Sequence, residues 1–294
     1  MRQPESRPAS RPANRPTTRQ VVPVSCYIRT FNEARKIGDV VAAAREVADE
    51  VIVVDSGSAD TTIAIAEAQG ARVIRQAWLG RGRQKRFAED QCRNDYVLDL
   101  DADEVVSPEL AAEIRALFAS GRPPLPVYEL KLVLVPPVGR PWWSVGISHR
   151  RKLYDRRVVR QPDHLAWDQF ELPRGVAVGR LRGPLMHHSF RDIEHMMAKL
   201  NTVTSVRATE TRLHRRRWEV GARVLLAYPF YFLKHFVLRG YFRVGVYGLA
   251  TAGVLAYGRW LRDAKMYERL LTERKRPGDR SKRLDEPAPE LNPQ

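Results

Sequence analysis

Two apolar runs that each end in an acid constrain this chain more than any other feature. Val51–Val54 runs into Asp55 and then Ser56-Gly57-Ser58, and Tyr96–Leu100 runs into Asp101. Around them strand and helix signals alternate. Val21–Ile28 is a short apolar run, and Glu33–Ala48 carries helical spacing at Ile37, Val40, Val41, Ala44 and Val47. Ala59–Gln69 and Gln84–Arg93 read as helices, with a short strand at Arg72–Ile74. Repeated strand–helix–strand units predict a mainly parallel sheet with helices on both faces. Ligands of such sheets bind outside the carboxyl ends of the strands, where Asp55, Asp101 and Asp103 fall.

Past residue 125 the pattern changes. Val127–Val135 reads as a strand, and Pro136 to Gly183 reads as loop-rich, with clustered Trp, His and Arg. Helical spacing returns from Asp192 to Arg217. Residues 218–260 are dense in aromatics and glycine, with Pro229 as an interruption. The longest uncharged stretch there, Val244–Gly258, has 15 residues, whereas a membrane span needs about 20. Four glycines break it, so an interfacial or re-entrant hairpin is expected rather than a transmembrane helix.

The expected organisation is a tail over 1–20, two halves of one α/β domain over 21–125 and 126–210, a helical membrane-associating region over 211–272, and a second tail over 273–294. Arg-Pro recurs every fourth residue in the first tail, which removes helix donors and favours extended chain. Cys26 and Cys92 are the only cysteines, which excludes a disulfide scaffold and a cysteine-rich zinc fold and suits a reducing compartment. No apolar stretch precedes Val21, so no signal peptide is expected. Fifty Lys and Arg against 34 Asp and Glu, a formal charge of +16, point to an acidic partner. Nucleic acid, an anionic membrane surface and a phosphorylated substrate all qualify.

The chemistry concentrates at Leu98-Asp99-Leu100-Asp101-Ala102-Asp103-Glu104. Buried carboxylates need a counter-charge, so a strand interior disfavours several of them. Two carboxylates two residues apart at a strand end can jointly face a divalent metal bound to a diphosphate, and hard oxygen ligands suit Mg²⁺ or Mn²⁺. Upstream stand Thr30-Phe31-Asn32-Glu33, Asp55-Ser56-Gly57-Ser58-Ala59-Asp60 and the basic loop Leu79-Gly80-Arg81-Gly82-Arg83-Gln84-Lys85. In this order the segments resemble the nucleotide-sugar domain of family 2 glycosyltransferases, which have the GT-A fold.

That resemblance implies a donor site lined by Thr30, Asn32, Glu33, Asp55, Ser58, Asp60, Lys85 and Asp101. Asp55 would contact uracil or ribose, and Lys85, in a loop, would meet phosphate or a sugar hydroxyl. Asp103 would be the direct metal ligand, with Asp101 beside it; Asp99-x-Asp101 is an overlapping alternative that the spacing leaves open. His187, in Leu185-Met186-His187-His188-Ser189, would complete the metal site or hold a diphosphate oxygen. His188 cannot share its strand face, because side chains alternate. The same segment, Trp167-Asp168-Gln169-Phe170-Glu171 and the helix around Lys199-Leu200-Asn201 narrow the resemblance to bacterial lipopolysaccharide core glucosyltransferases. An inverting transferase needs a carboxylate to take the acceptor's proton. Glu171 is preferred for that role and Asp168 is the alternative.

The resemblance thus implies a UDP-sugar donor, with glucose as the expected sugar, and an anionic lipid-linked saccharide acceptor. It places the work on the cytoplasmic face of the inner membrane. Arg212, Arg215, Arg216 and Arg217, followed by Trp218 to Phe236, would bind that anionic surface. A dinucleotide-binding oxidoreductase is excluded by the first turn, Arg29 to Glu33, which lacks glycine for a pyrophosphate. A nucleic-acid binder remains the alternative. It would leave the acids at one sheet edge unexplained, since they would repel phosphate, and no nucleic-acid partner is expected.

Overall fold

The computed structural model describes residues 22–165, 167–210 and 217–274. Residues 1–21, the end of the chain from 275, and Arg212, Arg215 and Arg216 lie outside the described residues.

The first half follows the alternation in the sequence. Strands β1 (Val24–Thr30), β2 (Glu50–Asp55), β3 (Arg72–Arg75) and β4 (Tyr96–Asp101) alternate with helices α1 (Ile37–Arg45), α2 (Thr62–Ala68) and α3 (Arg81–Asp90). β1 pairs in parallel with both β2 and β4, and β2 with β3. The chain therefore leaves β1 to one side and returns on the other, which opens a crevice at the carboxyl ends of β1 and β4. Register sets Thr30 opposite Asp55 and Arg29 opposite Asp101. Three strands with acids or their partners thus end at one level.

Alternation along the strands builds two cores. Cys26, Ile28, Leu98 and Leu100 pack with α1 and with α4 (Pro108–Phe118) on one face. Tyr27, Ile52, Val97, Ala88 and Tyr154 fill the other face, where α3 lies. Period two therefore also aims Asp99 and Asp101 toward the α3 side. α4 starts as its residues require, with Ser107 Oγ accepting from the Leu110 N–H at 3.1 Å and Pro108 in the first turn.

The second half extends the sheet with β5 (Glu104–Val106), β6 (Val127–Leu134), β7 (Ser148–Asp155) and β8 (Val178–His187). The order is β3-β2-β1-β4-β7-β6-β8-β5, with β7 antiparallel to both neighbours. The sheet is mixed and mostly parallel. Two of these strands correct the sequence reading. β7 and the start of β8 fall inside the stretch read as loop-rich. Ser-His-Arg-Arg-Lys-Leu-Tyr-Asp shows no apolar alternation, because Lys152 is buried by ion pairing rather than by hydrophobicity. The three-residue β5 is too short for any periodicity to reveal.

Three helices complete the described residues: α5 (Ile193–Glu210), α6 (Arg217–Leu233) and α7 (Gly245–Arg274). The expected hairpin is a pair of packed helices, joined by a π-helical turn at Lys234–Leu238 and a 3₁₀ turn at Tyr241–Val244. α6 continues through Pro229. α7 runs unbroken through the glycines read as interruptions and past the boundary expected at residue 272. Gly258 shows why: a Cβ there would meet the Leu200 side chain of α5 at 3.0 Å, so this glycine serves close helix packing. Among the described residues, no helix is long and apolar enough to cross a membrane.

Candidate active site

The loops after β1 and β2 lock onto each other. Asp55 is fully buried and accepts from the N–H groups of Gly57 and Ser58 at 2.9 Å and from Ser58 Oγ at 2.5 Å. Ser58 Oγ in turn accepts from the Asn32 N–H at 2.8 Å, and Asn32 Oδ1 from the Ala59 N–H at 2.9 Å. Asp60 accepts from Ala34 N–H at 3.2 Å, Thr62 N–H at 3.0 Å and the Thr62 hydroxyl. Asn32 alone among the described non-glycine residues has positive φ, 51°, which asparagine tolerates better than most side chains. Four of the expected donor residues, Asn32, Asp55, Ser58 and Asp60, therefore shape the cleft wall through their own bonds. The Thr30 hydroxyl is buried there with no partner among the described residues. Glu33 is half-buried, and burial, with Asp103 nearby, raises its carboxyl above the ordinary range.

Below these loops lies a buried ionic cluster. Arg29 donates to Asp101 at 2.5 Å and stands 3.6 Å from Asp168. Lys85 Nζ is 2.6 Å from Asp99 and 3.7 Å from Asp168. Lys152 reaches Glu104 at 2.7 Å and Asp101 at 3.6 Å, and donates to the Asp99 carbonyl at 3.3 Å. Burial tends to raise the Asp101 carboxyl, but the charges of Arg29, Lys152 and Lys85 outweigh it and hold the group well below the usual carboxylate range. Glu104 moves the other way, because its burial prevails over the pull of Lys152. Four carboxylates (Asp99, Asp101, Glu104, Asp168) thus meet three permanent cations.

Lys85 corrects the sequence reading. It lies in the second turn of α3, not in a loop, and its ammonium is almost wholly enclosed. The Gly80-Arg81-Gly82 segment likewise starts a helix and is pinned. The Arg81 and Gly82 N–H groups donate to the carbonyls of Leu165 at 2.6 Å and His164 at 3.0 Å. A Cβ on Gly82 would lie 2.3 Å from the Trp167 carbonyl oxygen. That close approach sets Asp168 beside Lys85. Arg29 and Lys152 were not singled out in the sequence. The signal for them was the acid run itself, since carboxylates in a strand interior demand cations on the neighbouring strands.

Lys152→Met strands Glu104 and Asp101 without this cation. It should destabilise the chain by about 3–5 kcal/mol, the usual cost of breaking a buried pair from one side. Urea unfolding checks this, and the double variant Lys152→Met/Glu104→Gln should recover part of the loss.

Asp103 and His187 form a second pair at the cleft. Antiparallel pairing of β5 with β8 sets Glu104 opposite His187, and the His188 N–H donates to the Asp103 carbonyl at 2.8 Å. His187 Nε2 then lies 3.5 Å from Asp103 Oδ2. Burial lowers the imidazole pKa, yet Asp103 more than reverses that and raises it; the carboxyl, pulled up by burial, is brought down by His187. His188 is not part of the pair. Among the described residues, no three His, Cys, Asp or Glu side chains converge as a metal cage. Mg²⁺ is nevertheless commonly held by one or two carboxylates when substrate phosphates and water supply the rest. Asp103, with His187 beside it, fits that demand; Asp101, bound to Arg29, fits it less well.

The two acids considered for proton transfer separate. Asp168 faces the ionic cluster. Phe170 is buried against Tyr154, ring centroids 4.8 Å apart, and Glu171 is exposed at the surface.

The profile of Glycosyl transferase family 2 matches residues 25–157. An uncharacterized glycosyltransferase of Rickettsia felis is 34% identical over 260 residues, covering 84% of this chain and 90% of that protein. The chain belongs to glycosyltransferase family 2. The family 2 match ends two residues past β7, so it includes Asp55, Asp101, Asp103 and Lys152, and stops short of Asp168 and His187. The lipopolysaccharide core biosynthesis glycosyltransferase LpsC of Rhizobium meliloti is 26% identical over 270 residues, 84% of this chain and 93% of LpsC. Among solved structures, residues 1–349 of TarS from S. aureus align with a TM-score of 0.43 at 16% identity, over 86% of this chain and 91% of that one. The similarity of this family 2 enzyme to the Rickettsia felis protein and to LpsC extends beyond the profile match, over 84% of the chain in each case.

Proposed function

We propose that this glycosyltransferase moves glucose from UDP-glucose, with inversion, onto a lipid-linked anionic saccharide of the lipopolysaccharide inner-core class. The observation that carries the reading is the meeting of Asp103, His187, Asp101 and Asp168 at one crevice. Asp103 and His187 would hold Mg²⁺ or Mn²⁺, which when bound supplies charge neutralisation for the leaving diphosphate. The β1 and β2 loops, braced by Asp55, Ser58 and Asp60, would seat the nucleoside, with the unpartnered Thr30 hydroxyl and Glu33, which pairs with Arg191 at 3.8 Å, facing it. Asp168 takes the acceptor hydroxyl's proton as that oxygen bonds to the anomeric carbon. The bond from that carbon to the diphosphate oxygen breaks, and UDP leaves. Arg29 and Lys85, 3.6 and 3.7 Å away, keep the Asp168 carboxylate aimed. Asp168 is preferred to Glu171 on this geometry.

The acceptor class rests on the likeness to LpsC and on the C-terminal helices. Trp218, Leu225, Leu226, Phe230, Leu238 and Val246, all large apolar side chains, are exposed there. Arg217, Lys234, Arg239 and Arg243 accompany them. That combination suits a peripheral position on an anionic membrane face.

A panel of nucleotide-sugars, each with purified core oligosaccharide, tests the reading through released nucleoside diphosphate. UDP-glucose should give the highest turnover, and only with the acceptor present. Turnover with another donor alone would overturn the donor assignment, and acceptor-independent release would overturn the transfer.

A further inference from the structure

A cavity of about 610 Å³ opens between α6 and α7, away from the residues of the catalytic crevice. Its apolar wall comes from Leu226, Phe230 and Met266, and its polar wall from Arg223, Arg262 and Asp263. The polar wall is firmly built. Asp263 is 1% exposed and accepts from Arg223 Nε at 3.2 Å and Nη2 at 2.8 Å. It also accepts from Arg262 Nε at 3.1 Å and Nη2 at 2.9 Å. One carboxylate thus serves two guanidiniums. Two more cations stand close, because Lys234 and Arg259 lie 5.7 and 5.6 Å from the ring centre of Tyr231, which also lines the cavity.

The positive excess registers on neighbouring groups. Burial, then the charge of Arg262, lowers the Arg259 guanidinium from its ordinary range. His235 is brought down to about 4 by burial and then by Arg239, Arg259 and Lys234. Like charges crowd here, and an anion in the cavity would relieve them. The apolar wall selects among anions. Leu226 and Phe230 are both mostly exposed, so the wall opens outward and continues into exposed Leu225 and Leu233. A nucleotide or free phosphate would leave that wall in water.

We propose that the α6–α7 cavity seats a single anionic phospholipid. Its phosphate lies at the free edges of Arg223 and Arg262, and its acyl chain lies along Leu226, Phe230 and Met266. The volume is within the usual range of small-ligand sites, about 300–1,000 Å³, and accommodates a headgroup with the first part of one chain. The inference rests on the membrane-facing part of the reading above and replaces a general surface attraction by a site.

Calorimetry with dihexanoyl phosphatidylglycerol below its micelle concentration tests the site without a bilayer. One lipid should bind per chain, with dihexanoyl phosphatidylcholine and inorganic phosphate each at least about tenfold weaker, the scale of one lost charge-assisted contact. Arg262→Gln leaves the Arg223–Asp263 pair in place, and Phe230→Ser alters an exposed position, so neither threatens the fold. Each should weaken phosphatidylglycerol binding about tenfold with unchanged melting temperature and unchanged UDP binding. Unaltered lipid affinity in both variants, or equal binding of phosphatidylcholine, overturns the proposal. Full competition by inorganic phosphate overturns it too. Lipid binding by a chain that turns over no UDP-sugar would sink the donor assignment and leave this site standing.

Discussion

Asp103→Ala is expected to lower turnover by about 10³-fold, the equivalent of the several kcal/mol that a Lewis acid contributes at a leaving diphosphate. The side chain sits in the turn between β4 and β5, and among the described residues its ionic partner is His187 at 3.5 Å. The Arg29, Lys85 and Lys152 cluster that holds the strand ends does not depend on it, so the melting temperature should change little. The binding of UDP should divide accordingly. In the wild-type chain Mn²⁺ should strengthen it, and in Asp103→Ala that increment should vanish while metal-free binding persists. Calorimetry with UDP, with and without Mn²⁺, reads this directly. Undiminished activity in the variant, or in excess chelator, would remove Asp103 from the metal site.

Asp168→Asn keeps the size of the side chain and its place near Arg29 and Lys85, but the amide cannot accept a proton. Turnover should fall by about 10²–10⁴-fold, the range for loss of a general base. Donor affinity should be nearly unchanged, because the β1 and β2 loops do not use this side chain. Glu171→Gln should retain wild-type turnover, since Glu171 is exposed beyond the buried anchor Phe170. Parallel measurements of kcat and of UDP-sugar affinity on the two variants decide between the acids. An inactive Glu171→Gln beside an active Asp168→Asn would reverse the assignment and require the 167–171 segment to move when the acceptor binds.

The different standing of these two acids marks where local pattern stops being informative. Spacing placed Asp168 and Glu171 three residues apart and left open which of them enters the crevice. The decision falls to Phe170, which packs on Tyr154, and to the carbonyls of His164 and Leu165, which accept from the start of α3. The first contact joins residues 16 apart and the second residues 81 to 84 apart, so no short window of sequence contains them. Lys85 shows the same limit. A basic residue after Gly-Arg-Gly reads as a solvated loop until α3 is laid on the sheet face that carries Asp99. The glycines of α7 read as breaks for a related reason, because a glycine that breaks a helix and one that admits a neighbouring helix look alike along the chain.

The sequence by itself determined the family, the strand–helix alternation of the first half and the acids at the strand ends. Each of these depends on backbone preference or on period-two burial, which neighbouring residues specify. Only the tertiary structure decided which charges neutralise which. Asp101 belongs to Arg29, Asp99 to Lys85, Glu104 to Lys152 and Asp103 to His187. Those pairs follow from the register of β1 on β4, the docking of α3 and the entry of β7 and β8 beside them. Buried ions find partners through non-local geometry, because a carboxylate removed from water is stabilised by whatever cation the fold brings within reach.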